Sequence, residues 1–181
     1  HTIEWANLMT GWGEVIAFEA QEKIFYALAG NIILNNCLNA SAKHLALGSS
    51  NGKITIPEPD YLKPASFGSF ELKKRANNEF IGQAIDYTHA NKEIDLITLD
   101  SLNLVRVDLL KIDVEGMEEE VLNGALKLIS THKPIIFIEI IKSNKQNLIS
   151  LLDSFDYKYI HLGMSILAIN QDDDCIDKIT F

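Results

Sequence analysis

The 181-residue sequence is short of cysteine, proline, positive charge and long apolar runs. Its two cysteines, Cys37 and Cys175, have no metal-ligand spacing. A single pair gives no disulfide framework, which fits a reducing compartment, so a cytoplasmic location is expected. The longest apolar runs, such as 135–138, fall far below the roughly 18 residues of a spanning helix. No signal-peptide pattern is visible. Lys and Arg number 16 against 25 Asp and Glu, a net charge of −9. That balance argues against a nucleic acid backbone or an anionic membrane as the main partner. The one dense basic run is Lys73-Lys74-Arg75. His1, His44, His89 and His132 show no metal-ligand spacing. Phosphate-binding P-loop, nucleophile elbow and zinc cluster are all missing. No metal is expected, although a variant in which Asp113 and Glu115 hold Mg²⁺ stays open.

What is present is ordinary globular composition, 47% hydrophobic and 23% charged. The length suits a single domain, 1–181, with room for a sizeable core. Apolar spacing predicts helices over 3–9, 23–38, 117–129 and 145–155. Near-continuous apolar runs predict strands over 14–19, 42–47, 93–99, 107–114 and 134–141, and alternation an edge strand over 53–57. Two strands, 157–162 and 165–170, are joined by Gly163-Met164, which demands an antiparallel pair. Ser143-Asn144 is placed to cap the helix that follows. Trp5 and Trp12 are expected in the core. Three of the four prolines fall in an irregular stretch, about 57–91, that also holds Phe67-Gly68-Ser69-Phe70. A loop of that length is usually functional or disordered, and it is the expected acceptor-binding lid. The order of elements predicts an α/β fold, a doubly wound and mostly parallel sheet with an antiparallel C-terminal edge strand.

Ligands of such sheets bind at the carboxyl ends of the strands. Along that rim the sequence offers Glu19, Ser49, Asp113, Glu115, Glu139 and His161. Carboxylates are poor strand formers and costly to bury unpaired, so three acid-tipped strands call for an explanation. Glu19 can accept both hydroxyls of a ribose or simply pair with a helix N-terminus. Asp113 and Glu115 stand two apart, on one side of an extended strand, before Gly116. They are candidates for a general base or for holding a cationic ligand. Alternatively, Glu115 only helps start the next helix. Glu139, inside an apolar run, needs a partner or a raised pKa; a structural ion pair with Lys142 is the plain alternative. His161 is more simply structural than a base.

Several blocks then stand in a known order. They are Val15-Ile16-Ala17-Phe18-Glu19, Ile97-Thr98-Leu99-Asp100-Ser101-Leu102, Leu110-Lys111-Ile112-Asp113-Val114-Glu115-Gly116-Met117-Glu118, Val121-Leu122-x-Gly124-Ala125 and Lys133-Pro134-Ile135-Ile136. Together they resemble the FkbM family of S-adenosylmethionine-dependent methyltransferases. The resemblance implies a Rossmann-like class I methyltransferase fold and O-methylation of a hydroxyl of a sugar or secondary metabolite. It implies S-adenosylmethionine as cofactor and a small-molecule or saccharide acceptor. Glu19 would hold the cofactor ribose, with Ala20 beside it, and Ser49 would lie by the adenine. Asp113 would face the methionine end and the acceptor, and Glu115 the active-site mouth. The base candidates are Asp113, Glu115 and Glu139, in that order. The family's first strand and glycine-rich loop would lie immediately before His1-Thr2, which would put Thr2 near the cofactor. Without that strand, an exposed sheet edge makes a homo-oligomer an expectation. Two further readings stay open: a non-catalytic or degenerate nucleoside-binding domain that needs a partner, and, further off, a nicotinamide-dependent oxidoreductase, for which no G-x-G-x-x-G is present.

Overall fold

A computed structural model describes residues 1–90 and 92–178. Asn91, at the end of the expected lid, and residues 179–181 of the expected single domain lie outside the described residues. The chain divides into two compact units. The first comprises His1–Ala46, Gly52–Gly68 and Phe80–Leu96, and the second Leu47–Asn51, Ser69–Glu79 and the chain from Ile97 onward.

In the first unit, α1 (Thr2–Leu8), β1 (Val15–Phe18), α2 (Glu22–Leu34) and β2 (Ala40–Lys43) follow one another. β1 and β2 pair in parallel, from Val15 opposite Ala40 to Phe18 opposite Lys43. Ala6, Val15, Ile32 and Cys37 form a core on which Trp5 and Leu28 pack. Trp12 departs from expectation: it is 75% exposed, and its indole N–H donates to the Leu8 carbonyl at 3.2 Å. α2 stops sooner than its apolar spacing suggests. Asn36 adopts φ 55°, the left-handed geometry that asparagine tolerates and a helix cannot continue. The strand expected over 42–47 is broken in two. His44 turns its ring back to the Ala20 carbonyl at 3.1 Å, which ends β2, and β3 (Ala46–Leu47) follows as a separate element. β4 (Gly52–Ile56) and β5 (Lys92–Ile97) pair antiparallel.

The second unit carries β6 (Leu109–Ile112), α3 (Glu118–Asn123), α4 (Leu126–His132), β7 (Ile135–Glu139), α5 (Lys145–Asp153), β8 (Tyr157–Leu162) and β9 (Ser165–Asn170). Its sheet runs in the order β6-β7-β9-β8. β6 and β7 are parallel, whereas β9 is antiparallel to both β7 and β8. The architecture is mixed α/β, but two features differ from the expected sheet. Among the described residues the strands form three separate sheets, and antiparallel ladders are as much a part of them as parallel ones. The C-terminal strand is also not at the edge. β9 reads Ser-Ile-Leu-Ala-Ile-Asn with Ile166, Ala168 and Ile169 buried, so it takes the inner place, paired on both sides. β8 carries Lys158 and His161 and takes the edge, where polar side chains guard unpaired backbone groups.

The helix expected over 117–129 is two helices. Gly124 ends α3, and a Cβ there would lie 2.0 Å from the Gly48 carbonyl oxygen. Its own carbonyl accepts the Asp100 N–H at 2.9 Å. Two backbones therefore approach where only glycine fits. The Asp100 carboxylate then caps α4, accepting from Lys127 N at 3.0 Å and Leu128 N at 2.8 Å. Asn144 caps α5 as expected, accepting from Gln146 N at 3.0 Å and Asn147 N at 3.3 Å. Among the described residues, no helix is long and apolar enough to cross a membrane.

Candidate active site

The register of β6 on β7 builds the site. Leu109 lies opposite Ile135 and Ile112 opposite Ile138. The next residues in each chain are Asp113 and Glu139. Parallel strands run about 4.8 Å apart, so two acids at matching carboxyl ends meet. Glu115 joins them by a different route from the one expected. β6 ends at Ile112, so Asp113 and Glu115 do not share a strand face. Instead the chain turns at Glu115 (φ 52°) and Gly116 (φ 98°). Carboxylate oxygens of Asp113, Glu115 and Glu139 then lie within 4.8 Å of one another. A trio at that spacing has the geometry to hold a divalent cation, but two ammonium groups already sit on it. Lys111 Nζ is hydrogen-bonded to Asp113, and Lys142 Nζ lies 2.5 Å from Glu115. The ion pair with Lys142, offered as the plain alternative for Glu139, is made with Glu115 instead.

This arrangement separates the three carboxyls. Burial works to raise Asp113, but hydrogen bonds from Lys111 and Glu139, with the charges of Lys111 and Lys142, outweigh it and hold its pKa low. Glu139 moves the other way. Burial, the hydrogen bond to Asp113 and the charges of Asp113, Glu115 and Glu118 push it up to about 7. Two carboxyls that share one proton split in this manner. Glu115 is also raised, chiefly by burial, against the pull of Lys142.

The loop between strand and helix is fixed from behind by Glu118, only 2% exposed. Its carboxylate accepts from Gly116 N at 3.0 Å and Val114 N at 3.2 Å, and the Ser143 hydroxyl also donates to it. From the sequence, Glu118 reads as one of three acids in a helix's first turn; it is the clamp of the loop. Gly116 is favoured by its backbone, and any side chain there would have to push Arg75 aside. Its φ is positive, and a Cβ would lie 2.8 Å from the Arg75 guanidinium carbon. Arg75 donates to the Gly116 carbonyl. Sequence reasoning missed Lys111, Arg75 and the role of Glu118, and it paired Lys142 with Glu139 rather than with Glu115. Lys111 could have been found, because two residues before Asp113 on an extended chain is the same side. Nothing in the pattern around Arg75 announces its partner.

The other candidates fall as follows. Glu19 follows β1 in the first unit, and its carboxylate accepts the Gln21 N–H at 2.7 Å. Burial raises its pKa, against the N–H groups of Gln21 and Ala20 and the attraction of His44. Ala20 is buried beside it, 9% exposed. Thr2 opens α1 in the same unit. Ser49 lies in the second unit, on a cavity of about 530 Å³ bounded also by Arg75, Gly116, Asn123 and Ser143. Asp113, Glu115 and Glu139 do not line that cavity. His161 is exposed on β8 with its ring against Tyr159. Phe67 packs on Tyr61 in the first unit at 5.0 Å, while Phe70 is buried in the second.

Residues 1–159 match the profile of the methyltransferase FkbM domain. The chain belongs to that family. A crystallised methyltransferase FkbM from Methylobacillus flagellatus KT shares the fold, with a TM-score of 0.57 over 93% of this chain at 16% identity. This chain spans 41% of the length of that protein. No curated relative matches. Within the family match lie every acid of the trio, both lysines and Glu19.

Proposed function

We propose that the chain belongs to an S-adenosylmethionine-dependent methyltransferase of Rossmann-like class I fold that methylates a hydroxyl of a sugar or secondary metabolite. The observation that carries this is the match to the FkbM domain over residues 1–159 together with the Asp113, Glu115 and Glu139 carboxylates gathered within 4.8 Å at the ends of β6 and β7, of which Asp113 is held low and Glu139 raised to about 7. A carboxylate that titrates near neutrality is poised to take a hydroxyl proton. The electrostatics therefore favour Glu139 as proton acceptor over Asp113, which ranks first on sequence alone.

The donor chemistry fits the cofactor. Glu19 offers a carboxylate anchored by one backbone N–H, suited to a ribose diol. Ala20 would be a small apolar neighbour of the ribose, and Ser49 would offer a hydroxyl to the adenine. Thr2 and Asp113 would serve the methionine end. When bound, the cofactor supplies a methyl group on an already activated sulfonium. The residues of the chain must then align the acceptor oxygen and remove its proton. Asp113, kept ionised by Lys111, accepts a hydrogen bond from the acceptor hydroxyl and orients it. Glu139 receives the proton as the oxygen becomes nucleophilic, and Glu115 with Lys142 fixes the charge beside them.

Calorimetric titration with S-adenosylhomocysteine, followed by methyl transfer to a panel of hydroxylated acceptors, tests the proposal. Saturable heat and methyl-ether products are expected. A folded protein that gives no heat would end it.

A further inference from the structure

The segment 69–79 holds itself together and is joined to the acid loop by two cations, its own Arg75 and Lys142 from the stretch after β7. Glu71, 4% exposed, accepts the Glu79 N–H at 2.8 Å. Asn78 accepts the Arg75 N–H at 2.6 Å and donates to the Lys73 carbonyl at 3.0 Å. Hydrogen bonds thus close the segment on itself. Arg75 reaches from it to the Gly116 carbonyl and, at 2.6 Å, to the carbonyl of Lys142. Lys142 reaches back. Its ammonium, 15% exposed, lies 2.5 Å from Glu115, 2.7 Å from Glu79 and 3.9 Å from Glu71. It also donates to the Ser69 carbonyl at 3.1 Å.

We propose that Lys142 is a positioning residue for the Asp113–Glu139 pair, acting through Glu115 and clamping it to the 69–79 loop. This rests on the pair being the proton acceptor. Glu115 occupies a left-handed turn that a glutamate adopts at a cost, so its carboxylate needs a fixed partner to stay in register. Lys142 supplies that partner from the segment after β7, the strand that ends in Glu139. One cation thereby ties the ends of both acid-bearing strands together. The charged groups around it are Lys111, Glu118, Glu71, Glu79 and Arg75, besides the trio. Burial opposes the Lys142 charge, but the hydrogen bonds to Glu115 and Glu79 prevail and raise its pKa, so it stays a cation. Its loss removes an attraction that lowers both Glu115 and Asp113.

The test is a carbon-13 NMR titration of the side-chain carboxyls in the wild-type chain, K142M, K142R and E115Q. With K142M the trio should keep its protons to higher pH, by about one pH unit, and K142R should return it to the wild-type course. A folded K142M that titrates as wild type, or a K142R that shifts as far as K142M, overturns the proposal. Should K142M fail to fold, E115Q decides. Removing the Glu115 charge should lower the upper step of the Asp113–Glu139 pair, and an unmoved step refutes action through Glu115. Calorimetry with S-adenosylhomocysteine on the same samples separates the two claims. The shift without binding keeps Lys142 in its role and ends the methyltransferase reading; binding without the shift does the reverse.

Discussion

Glu19 and Glu139 are both glutamates at the carboxyl end of a strand, and both have raised pKa values, yet for different reasons. Glu19 is raised by burial alone, while every neighbour that acts on it, two backbone N–H groups and His44, pulls it down. Glu139 is raised by burial together with Asp113, Glu115 and Glu118. A carboxylate surrounded by donors is a fixed hydrogen-bond acceptor. A carboxyl surrounded by other carboxyls exchanges protons. A buried polar side chain shapes the loop at each site, Gln21 at 6% exposure beside Glu19 and Glu118 at 2% behind Asp113, the partner of Glu139. The strand end does not determine the role of the acid; the signs of the neighbouring charges do.

The largest expected effect tests the proton-exchanging side. Glu139→Gln keeps the shape and removes the proton acceptor, so kcat for methyl transfer should fall by about 10²- to 10⁴-fold. The affinity for S-adenosylhomocysteine, measured by calorimetry, should stay the same. An unchanged kcat would leave the two acids alike in role and dissolve the contrast. Glu118→Ala comes next, through stability. It strips acceptors from Gly116 N and Val114 N and from the Ser143 hydroxyl. Unfolding in urea should show a loss of roughly 3 kcal/mol, the cost of leaving such buried donors unmet.

Much of this contrast was legible beforehand. The strands expected over 107–114 and 134–141 and the hairpin at Gly163 follow from period and turn chemistry; the structure keeps all three elements but ends the two strands sooner, at Ile112 and Glu139. The pairing of Asp113 with Glu139 was not legible, because it depends on the register of two strands about 26 residues apart, which no local pattern encodes. The break at Gly124 was hidden for a similar reason. An apolar helical stripe runs through it, and only the approach of Gly48, far away in sequence, shows why a side chain is forbidden. The order of β8 and β9 is legible in their polarity, the apolar strand inside and the one with Lys158 and His161 at the edge.

Glu19→Gln probes the other side of the contrast. It should weaken S-adenosylhomocysteine binding by about tenfold or more, the worth of a charged hydrogen bond, and leave kcat at saturation nearly unchanged. A large fall in kcat instead would mean that Glu19 also handles protons. The pH dependence of stability sharpens the difference further. Glu139 sits at about 7 in the folded chain against an ordinary 4.5. Between those values the native state holds a proton that the unfolded chain has released. The stability from this group is therefore full below about 4.5 and is lost as pH rises through about 7. Asp113, held low, works the opposite way, and its contribution disappears as pH falls below its ordinary range. Urea midpoints followed from mildly acidic to mildly alkaline pH should decline in the wild type and flatten in Glu139→Gln.

The smallest effect concerns Gln21. Its side-chain amide donates to the Phe67 carbonyl at 2.9 Å, and its carbonyl accepts from the Tyr61 hydroxyl at 3.4 Å. Unlike Glu118 it carries no charge, and one of its two bonds is long. Gln21→Ala should therefore cost only about 1 kcal/mol in urea unfolding, the net worth of an ordinary hydrogen bond. Its backbone N–H, which anchors Glu19, survives the change. Affinity for S-adenosylhomocysteine should then drop far less than in Glu19→Gln. If it drops as much, the Gln21 side chain, and not only its backbone, holds Glu19 in place, and the first unit relies on a clamp as demanding as the one behind Asp113.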